Sequence, residues 1–398
     1  MDTKMLRRWG LEPGVNFCNH GSFGASPTAV LEHQQRLRQH LESQPVRFFI
    51  REMQPLLDRC REQLAEFVGA APADLVFVNN ATEGVNAVLR SIDWQPGDTI
   101  LVTEHGYPAC SNAANFVARR YGAKVKVVPM GWPGLDEASV TRAVVDAVDD
   151  SVRLALLDHV TSASGLVLPI KRLVAELAQR GVDTLVDGAH APGMVALDID
   201  DIGAAYYTGN CHKWLCAPKG AAFLVVQAKL QQDIYPTTIS HGFTAEGASR
   251  FHRMFDWTGT SDPTAVLSIG AAIEVMDAMV EGGWPALRER NRTLALQGRD
   301  ILAAALGVPP PCPDTMIGSL ATLPLPHGRP LDLSASKPTF PLQDELWFEH
   351  RIEVPVGVCP GYDGRIVRIS AQLYNTVDDY RRLAETLVDL LPHDRSDA

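Results

Sequence analysis

Closely spaced cysteines are missing from this 398-residue chain. Its seven cysteines (18, 60, 110, 211, 216, 312 and 359) are scattered and odd in number, without the two-residue spacing of a zinc or dithiol motif. A reduced, cytoplasmic setting is the expectation. Cationic excess is missing too. The 36 Lys and Arg against 47 Asp and Glu give a net charge of −11, which argues against a nucleic-acid or anionic-membrane partner. No apolar run approaches membrane-spanning length, and residues 1–9 lack the apolar core of a signal peptide. No G-x-G-x-x-G fingerprint follows the first apolar strand, which excludes the usual dinucleotide-binding reading of an α/β chain. No internal repeat is found. What is present is an ordinary globular composition, 46% hydrophobic and 21% charged, with length enough for a large core and two domains.

Apolar runs and amphipathic stretches alternate through the first two thirds of the chain. Helical spacing is expected over Thr28–Glu42 and Pro55–Val68. Short strands are expected at Leu75–Val78, Thr99–Val102, Val125–Val128, Leu154–Leu157, Thr184–Asp187 and Ala221–Val226, with helices between them. Fully apolar strands separated by helices imply a mostly parallel sheet covered on both faces, the α/β class. The expected organisation is an N-terminal arm over 1–27, a large domain over 28–263, one connecting helix over 264–282 and a smaller C-terminal α+β domain over 283–398. Ligands of such sheets sit beyond the carboxyl ends of the strands. Thr82, Tyr107, Ser162, Asp187 and Lys213 all fall there.

Two of these positions carry chemistry. Asp187 ends the apolar run Leu185-Val186, in Asp187-Gly-Ala-His190. Lys213 follows the run Ala204-Ala-Tyr-Tyr207, in Gly209-Asn-Cys-His-Lys-Trp-Leu215. An acid and a lysine so placed can hold opposite ends of pyridoxal phosphate. The lysine bonds the aldehyde, and the carboxylate keeps the pyridine nitrogen protonated so that the ring accepts electrons.

With Asn19-His-Gly-Ser-Phe-Gly24, Gln44-Pro-Val-Arg-Phe-Phe49, Asn80-Ala-Thr-Glu-Gly84 and Arg368-Ile-Ser-Ala-Gln-Leu-Tyr-Asn375, these motifs resemble the class V aminotransferase family over nearly the whole chain. The resemblance is to the isopenicillin N epimerase-like group and its cysteine desulfurase relatives, pyridoxal-phosphate enzymes of fold type I. It implies a large domain with a mostly parallel, seven-stranded type of sheet.

The resemblance also implies roles. Lys213 is the lysine that bonds the cofactor and moves the substrate α-proton, and Asp187 pairs with the pyridine nitrogen. The segment Ala81, Thr82, Glu83 and Gly84 offers backbone N–H groups to the phosphate at a helix start, Thr82 also being an ordinary N-cap candidate. His212, with Asn210 or Thr208, is a second phosphate contact. Tyr107 stacks on the ring, His105 being its rival. His190, and more weakly Ser162, stand near the phenolic oxygen. Thr260 reaches a partner's phosphate across a homodimer interface. Arg368 grips the substrate carboxylate, and Arg47 is a weaker substrate contact. Cys359 is a candidate persulfide carrier or an inert or substrate-lining thiol, and Cys211 and Cys216 are packing residues, Cys211 being alternatively turned toward the cofactor.

The implied reaction is racemisation or epimerisation at the α-carbon of an amino acid. The alternatives are β-elimination by a C–S lyase or desulfurase-like enzyme, and transamination. A non-catalytic pyridoxal-phosphate-binding regulator is disfavoured by the intact Lys213–Asp187 pair and the absence of a basic module.

Overall fold

The structure is a computed structural model and describes residues 3–244, 246, 250–331 and 339–394. Twelve strands follow in chain order: β1 (Asn16–Phe17), β2 (Leu75–Val78), β3 (Thr99–Thr103), β4 (Lys124–Val128), β5 (Val152–Asp158), β6 (Asp183–Asp187), β7 (Tyr206–Asn210), β8 (Ala222–Val226), β9 (Leu320–Leu325), β10 (Ile352–Glu353), β11 (Val356–Val358) and β12 (Arg365–Ser370). Seven of them form one sheet in the order β2-β8-β7-β6-β5-β3-β4. Strand β8 is antiparallel to both of its neighbours, and the remaining pairs are parallel.

The strands alternate between two apolar layers, as the two-residue period of a pleated strand requires. Val76, Val78, Ile100, Val102, Leu154, Leu156 and Leu185 pack under the helices Ala81–Ser91 and Pro108–Tyr121. Leu75, Phe77, Leu101, Ala155, Leu157 and Val186 pack on the other face, against the helices Met53–Val68 and Ile170–Ala178. Each buried Val or Leu contributes roughly 1.5–3 kcal/mol of transfer free energy, so both faces must be covered, and both are. The chain is α/β with a mostly parallel seven-stranded sheet, as expected.

A second, antiparallel sheet of order β11-β12-β9 lies in the C-terminal part. The helices Gly283–Leu306 and Val377–Leu390 cover it. The N-terminal arm is tied to this region by the parallel pairing of Asn16 and Phe17 with Ile352 and Glu353.

The single connecting helix expected over 264–282 is not formed. Two short helices, Thr264–Leu267 and Ile269–Asp277, meet at Ser268, and the long helix begins only at Gly283. The apolar stripe is real: Ala265, Ile269, Ala272, Met276 and Met279 are buried. At the break the Ser268 hydroxyl donates back to the Thr264 carbonyl at 2.7 Å, a bond of the kind that bends helices. Gly282 and Gly283, at φ 86° and 60°, then turn the chain into the long helix.

Candidate active site

Five strand ends converge on one cavity of about 540 Å³. Strand β2 runs into the helix beginning at Ala81, β3 leads to Tyr107, β5 ends in Asp158, β6 ends in Asp187 and β7 leads to Lys213. Thr82, Tyr107, Ser162, Asp187, His190, Asn210, His212 and Lys213 all line this cavity. Arg368, on β12, reaches it from the C-terminal sheet through Ser162 and Ser22.

The lysine loop is a compact turn. The Cys216 N–H donates to the Lys213 carbonyl at 3.2 Å and the Ala217 N–H to the Cys211 carbonyl at 3.0 Å, with Cys216 itself at a left-handed φ of 64°. The N-terminal arm covers this loop. His20 places Nε2 3.1 Å from the Lys213 carbonyl and Nδ1 2.8 Å from the Tyr374 hydroxyl, and burial pushes its pKa down to about 3. Gly24, at φ +71°, lies so close that a Cβ would stand 2.0 Å from the His212 carbonyl oxygen and 2.9 Å from the Lys213 Cα. Gly24→Ala is therefore expected to lower stability by about 1–3 kcal/mol, read as a lower urea midpoint. An unchanged midpoint would show that the arm does not press on the loop.

The Lys213 side chain points at His190, its Nζ 3.0 Å from Nε2, while the Trp214 indole N–H donates to His190 Nδ1 at 3.2 Å. Burial, reinforced by Arg368, pushes the Lys213 pKa down to about 8. Burial and then the Lys213 charge push His190 well below the usual histidine range. Asp187 is buried; its Oδ1 accepts from the Ala189 N–H at 3.0 Å and its Oδ2 from the Cys110 thiol at 3.1 Å. Beside it in register stands Asp158, whose pKa burial and the Asp187 charge raise well above the carboxylate range. Two buried like charges side by side are costly, which disfavours the charged form of Asp158.

At the start of the helix Ala81–Ser91 the cap is Asn80, not Thr82. Asn80 Oδ1 accepts the Glu83 N–H at 2.9 Å. The Gly84 N–H goes to the Asn80 carbonyl, and the Ala81 N–H to Asn210 Oδ1 at 2.8 Å. Of the expected anion donors, the Thr82 N–H remains outside this capping set. Thr208 is turned away from the cavity, donating its hydroxyl to the Phe223 carbonyl at 2.8 Å. His212 donates Nδ1–H to the Ala221 carbonyl at 3.2 Å, and its pKa is lowered to about 4, mainly by burial.

Tyr107 is 41% exposed at the cavity wall. Its rival, His105, is buried and spends both ring nitrogens elsewhere, on the Ser164 hydroxyl at 2.8 Å and the Pro360 carbonyl at 3.1 Å. Cys359 is buried behind that histidine, and burial pushes its thiol up to about 12, an unreactive state. Arg47 is exposed and paired with Glu52. Thr260 is exposed and lies outside the cavity lining.

Arg368 is 7% exposed. Nη1 donates to the Ser162 carbonyl and Nη2 to the Ser22 hydroxyl at 3.0 Å, while its buried Nε has no acceptor. Among the described residues no carboxylate lies within ion-pair distance of it, and burial lowers its pKa to about 10. Tied through its Nη atoms to two cavity-wall residues, a buried guanidinium with no charged partner favours an anion nearby.

Asp158, Cys110, Trp214 and His20 were not among the sequence candidates. Asp158 had a readable signal, an acid closing an apolar strand just as Asp187 does. The others depend on contacts that no local pattern reveals.

Pyridoxal phosphate fits these residues: a lysine amine of depressed pKa, a buried carboxylate and a helix-start N–H share one cavity. An α/β fold of this topology with such a site defines the pyridoxal-phosphate enzymes of fold type I. Residues 24–309 match the family described as aminotransferase class-V, and the chain belongs to that family. It is 34% identical to an isopenicillin N epimerase of Streptomyces clavuligerus over 391 residues, 95% of each chain. It is 31% identical to a putative L-cysteine desulfhydrase of Oryza sativa subsp. japonica, over 96% of this chain and 84% of that protein. In fold it is similar to the cystine C–S lyase C-DES in complex with cysteine persulfide (TM-score 0.79, 22% identity, 95% and 98% covered). It is also similar to the Escherichia coli cysteine desulfurase CsdA (TM-score 0.78, 20% identity, 99% of each chain).

Proposed function

We propose that this chain is a pyridoxal-phosphate enzyme that racemises or epimerises the α-carbon of an amino acid. The observation that carries the substrate class is Arg368, a buried cation with a free Nε and no anionic partner among the described residues. An α-carboxylate supplies the missing charge and two acceptor oxygens. Bound there, the cofactor supplies an electron sink for the pair left at Cα when the α-proton departs.

The chain does the rest. Lys213 would hold the aldehyde end of the cofactor, and its Nζ, as the free amine, would take the substrate α-proton. Asp187 would hold the pyridine nitrogen. The Thr82 N–H and Asn210 would hold the phosphate, joined by His212 when its Nε2 also carries a proton. His190 and Ser162 would stand by the phenolic oxygen of the cofactor. Tyr107 would cover its ring, and its phenol, which burial keeps protonated, would serve as the second acid. Thr260, exposed on the surface, serves a partner's site in a homodimer.

A second reading is β-elimination of a sulfur leaving group, supported by the similarity to a desulfhydrase. It would proceed without a persulfide on Cys359, which burial keeps as a thiol. The loaded enzyme in deuterated water separates the two. Deuterium at Cα with appearance of the opposite enantiomer supports epimerisation, whereas pyruvate with a released thiol replaces that reading with elimination.

Asp187→Ala is expected to keep the cofactor bound while slowing α-proton exchange on the order of 10²-fold or more, as a withdrawn charge-stabilising group does. Unchanged exchange, followed by NMR, removes Asp187 from the role.

A further inference from the structure

The indole N–H of Trp214 is a donor without a lone pair to accept with, and it lies 3.2 Å from His190 Nδ1. That nitrogen must therefore be the acceptor. Burial, with the Arg368 charge, keeps the imidazole neutral, and a neutral imidazole carries one N–H. The proton consequently sits on Nε2, which points at Lys213 Nζ from 3.0 Å. An ammonium has three N–H bonds and nothing to accept with, so it would set proton against proton. A free amine accepts the bond through its lone pair. The other arrangement, an ammonium donating to Nε2, requires a proton on Nδ1, where it would collide with the indole N–H.

We propose that Trp214 is a positioning residue which fixes His190 as its Nε2–H tautomer, and that this tautomer favours the free amine of Lys213 over its ammonium, the amine being the form that bonds an aldehyde or takes an α-proton. The inference rests on the reading of Lys213 as the reactive lysine, but needs neither an epimerase nor a lyase outcome. The geometry leaves little room for another arrangement. Trp214 is 1% exposed and packs with Val160, Met194 and Leu320. Its ring centroid lies 4.9 Å from that of His20, and a Cβ on Gly193 would stand 2.6 Å from the Trp214 carbonyl.

Other charges also act on the pair. Arg368 works with burial against the Lys213 ammonium, while Asp187, Asp158 and Cys110 favour it. Lys213, Arg368, His20 and His212 face His190. Trp214→Phe leaves all of these in place, so its effect isolates the indole N–H.

The test uses the full chain freed of cofactor. Two-bond proton–nitrogen NMR of histidine-labelled protein reads the tautomer, the His190 signal being identified by its loss in His190→Gln. Acylation of Lys213 against pH, followed by peptide mass spectrometry, reads the amine. The expected result is an Nε2–H tautomer in the native chain. In Trp214→Phe the Lys213 midpoint should rise by about one pH unit, a roughly tenfold smaller amine fraction at neutral pH. In the His190→Gln background, which has no tautomer to set, adding Trp214→Phe should produce no further rise. An Nδ1–H tautomer in the native chain overturns the proposal without reference to any variant, as does an equal rise on the His190→Gln background. Failure of α-proton exchange in the loaded enzyme would overturn the proposed function and leave the tautomer result intact.

Discussion

Lys213→Ala, purified with pyridoxal phosphate, is expected to lack the visible absorbance of lysine-bound cofactor and to lose α-proton exchange by on the order of 10⁴-fold or more. The size of the loss follows from two roles in one side chain. As the nucleophile, Lys213 holds the aldehyde end of the cofactor in place; as a positioned base, it contributes roughly 10²–10⁴-fold by itself. Among the described residues no other lysine lines the cavity. Retention of the visible band in the variant would sink the assignment. The same side chain sets a pH dependence. Its pKa is depressed to about 8 from the usual 10.5, and only the unprotonated amine attacks an aldehyde. Cofactor uptake by the freed chain should thus accelerate as pH climbs through about 8 and level off above it. At pH 7 roughly a tenth of the chains would hold the amine form. A rise that continued to pH 10 without levelling would indicate an ordinary, solvated lysine.

Arg368→Gln should reduce kcat/KM for amino-acid substrates by roughly 10²–10⁴-fold, the loss expected when one partner of a buried charged pair is removed. The visible absorbance of bound cofactor should be little altered, because Arg368 faces the substrate rather than the ring. A structural part for Arg368 is also visible, since it ties Ser162 to Ser22. The two roles separate experimentally. Loss of the carboxylate receptor lowers kcat/KM at an unchanged urea midpoint and spares an amine substrate that has no carboxylate. Loss of the tie alone lowers the midpoint and affects both substrates alike. The second pattern would reduce Arg368 to a strut.

Much of this site could be read from the chain before its structure, for a physical reason. A strand buried on both faces is apolar along its length, so a polar residue closing it stands out, and in a parallel sheet such residues gather at one edge. Asp187 after Leu185-Val186 and Lys213 beyond Tyr206-Tyr207 were found in this way. What escaped depends on register or on distant contacts. Asp158 becomes informative only when β5 is aligned on β6 so that it lies beside Asp187. Trp214 looks like any core aromatic until His190, 24 residues away, is placed under its N–H. The free Nε of Arg368 is a property of its surroundings and has no sequence signature. In the fold, the apolar stripe over 264–282 gave the right buried face and the wrong continuity. Periodicity reports which side is buried and not where one helix gives way to the next, here at Ser268 and the Gly282–Gly283 pair.

The N-terminal arm has a consequence for biosynthesis. His20 and Gly24 brace the Lys213 loop, yet they are themselves held by Tyr374, Ser370 and the pairing with Ile352 and Glu353. These contacts join segments 354 and 349 residues apart, so a long loop must close before they form. The central sheet can form while the chain is still emerging from the ribosome. The floor beneath the lysine cannot, so a nascent chain should acquire its cofactor only after residue 375 has cleared the exit tunnel.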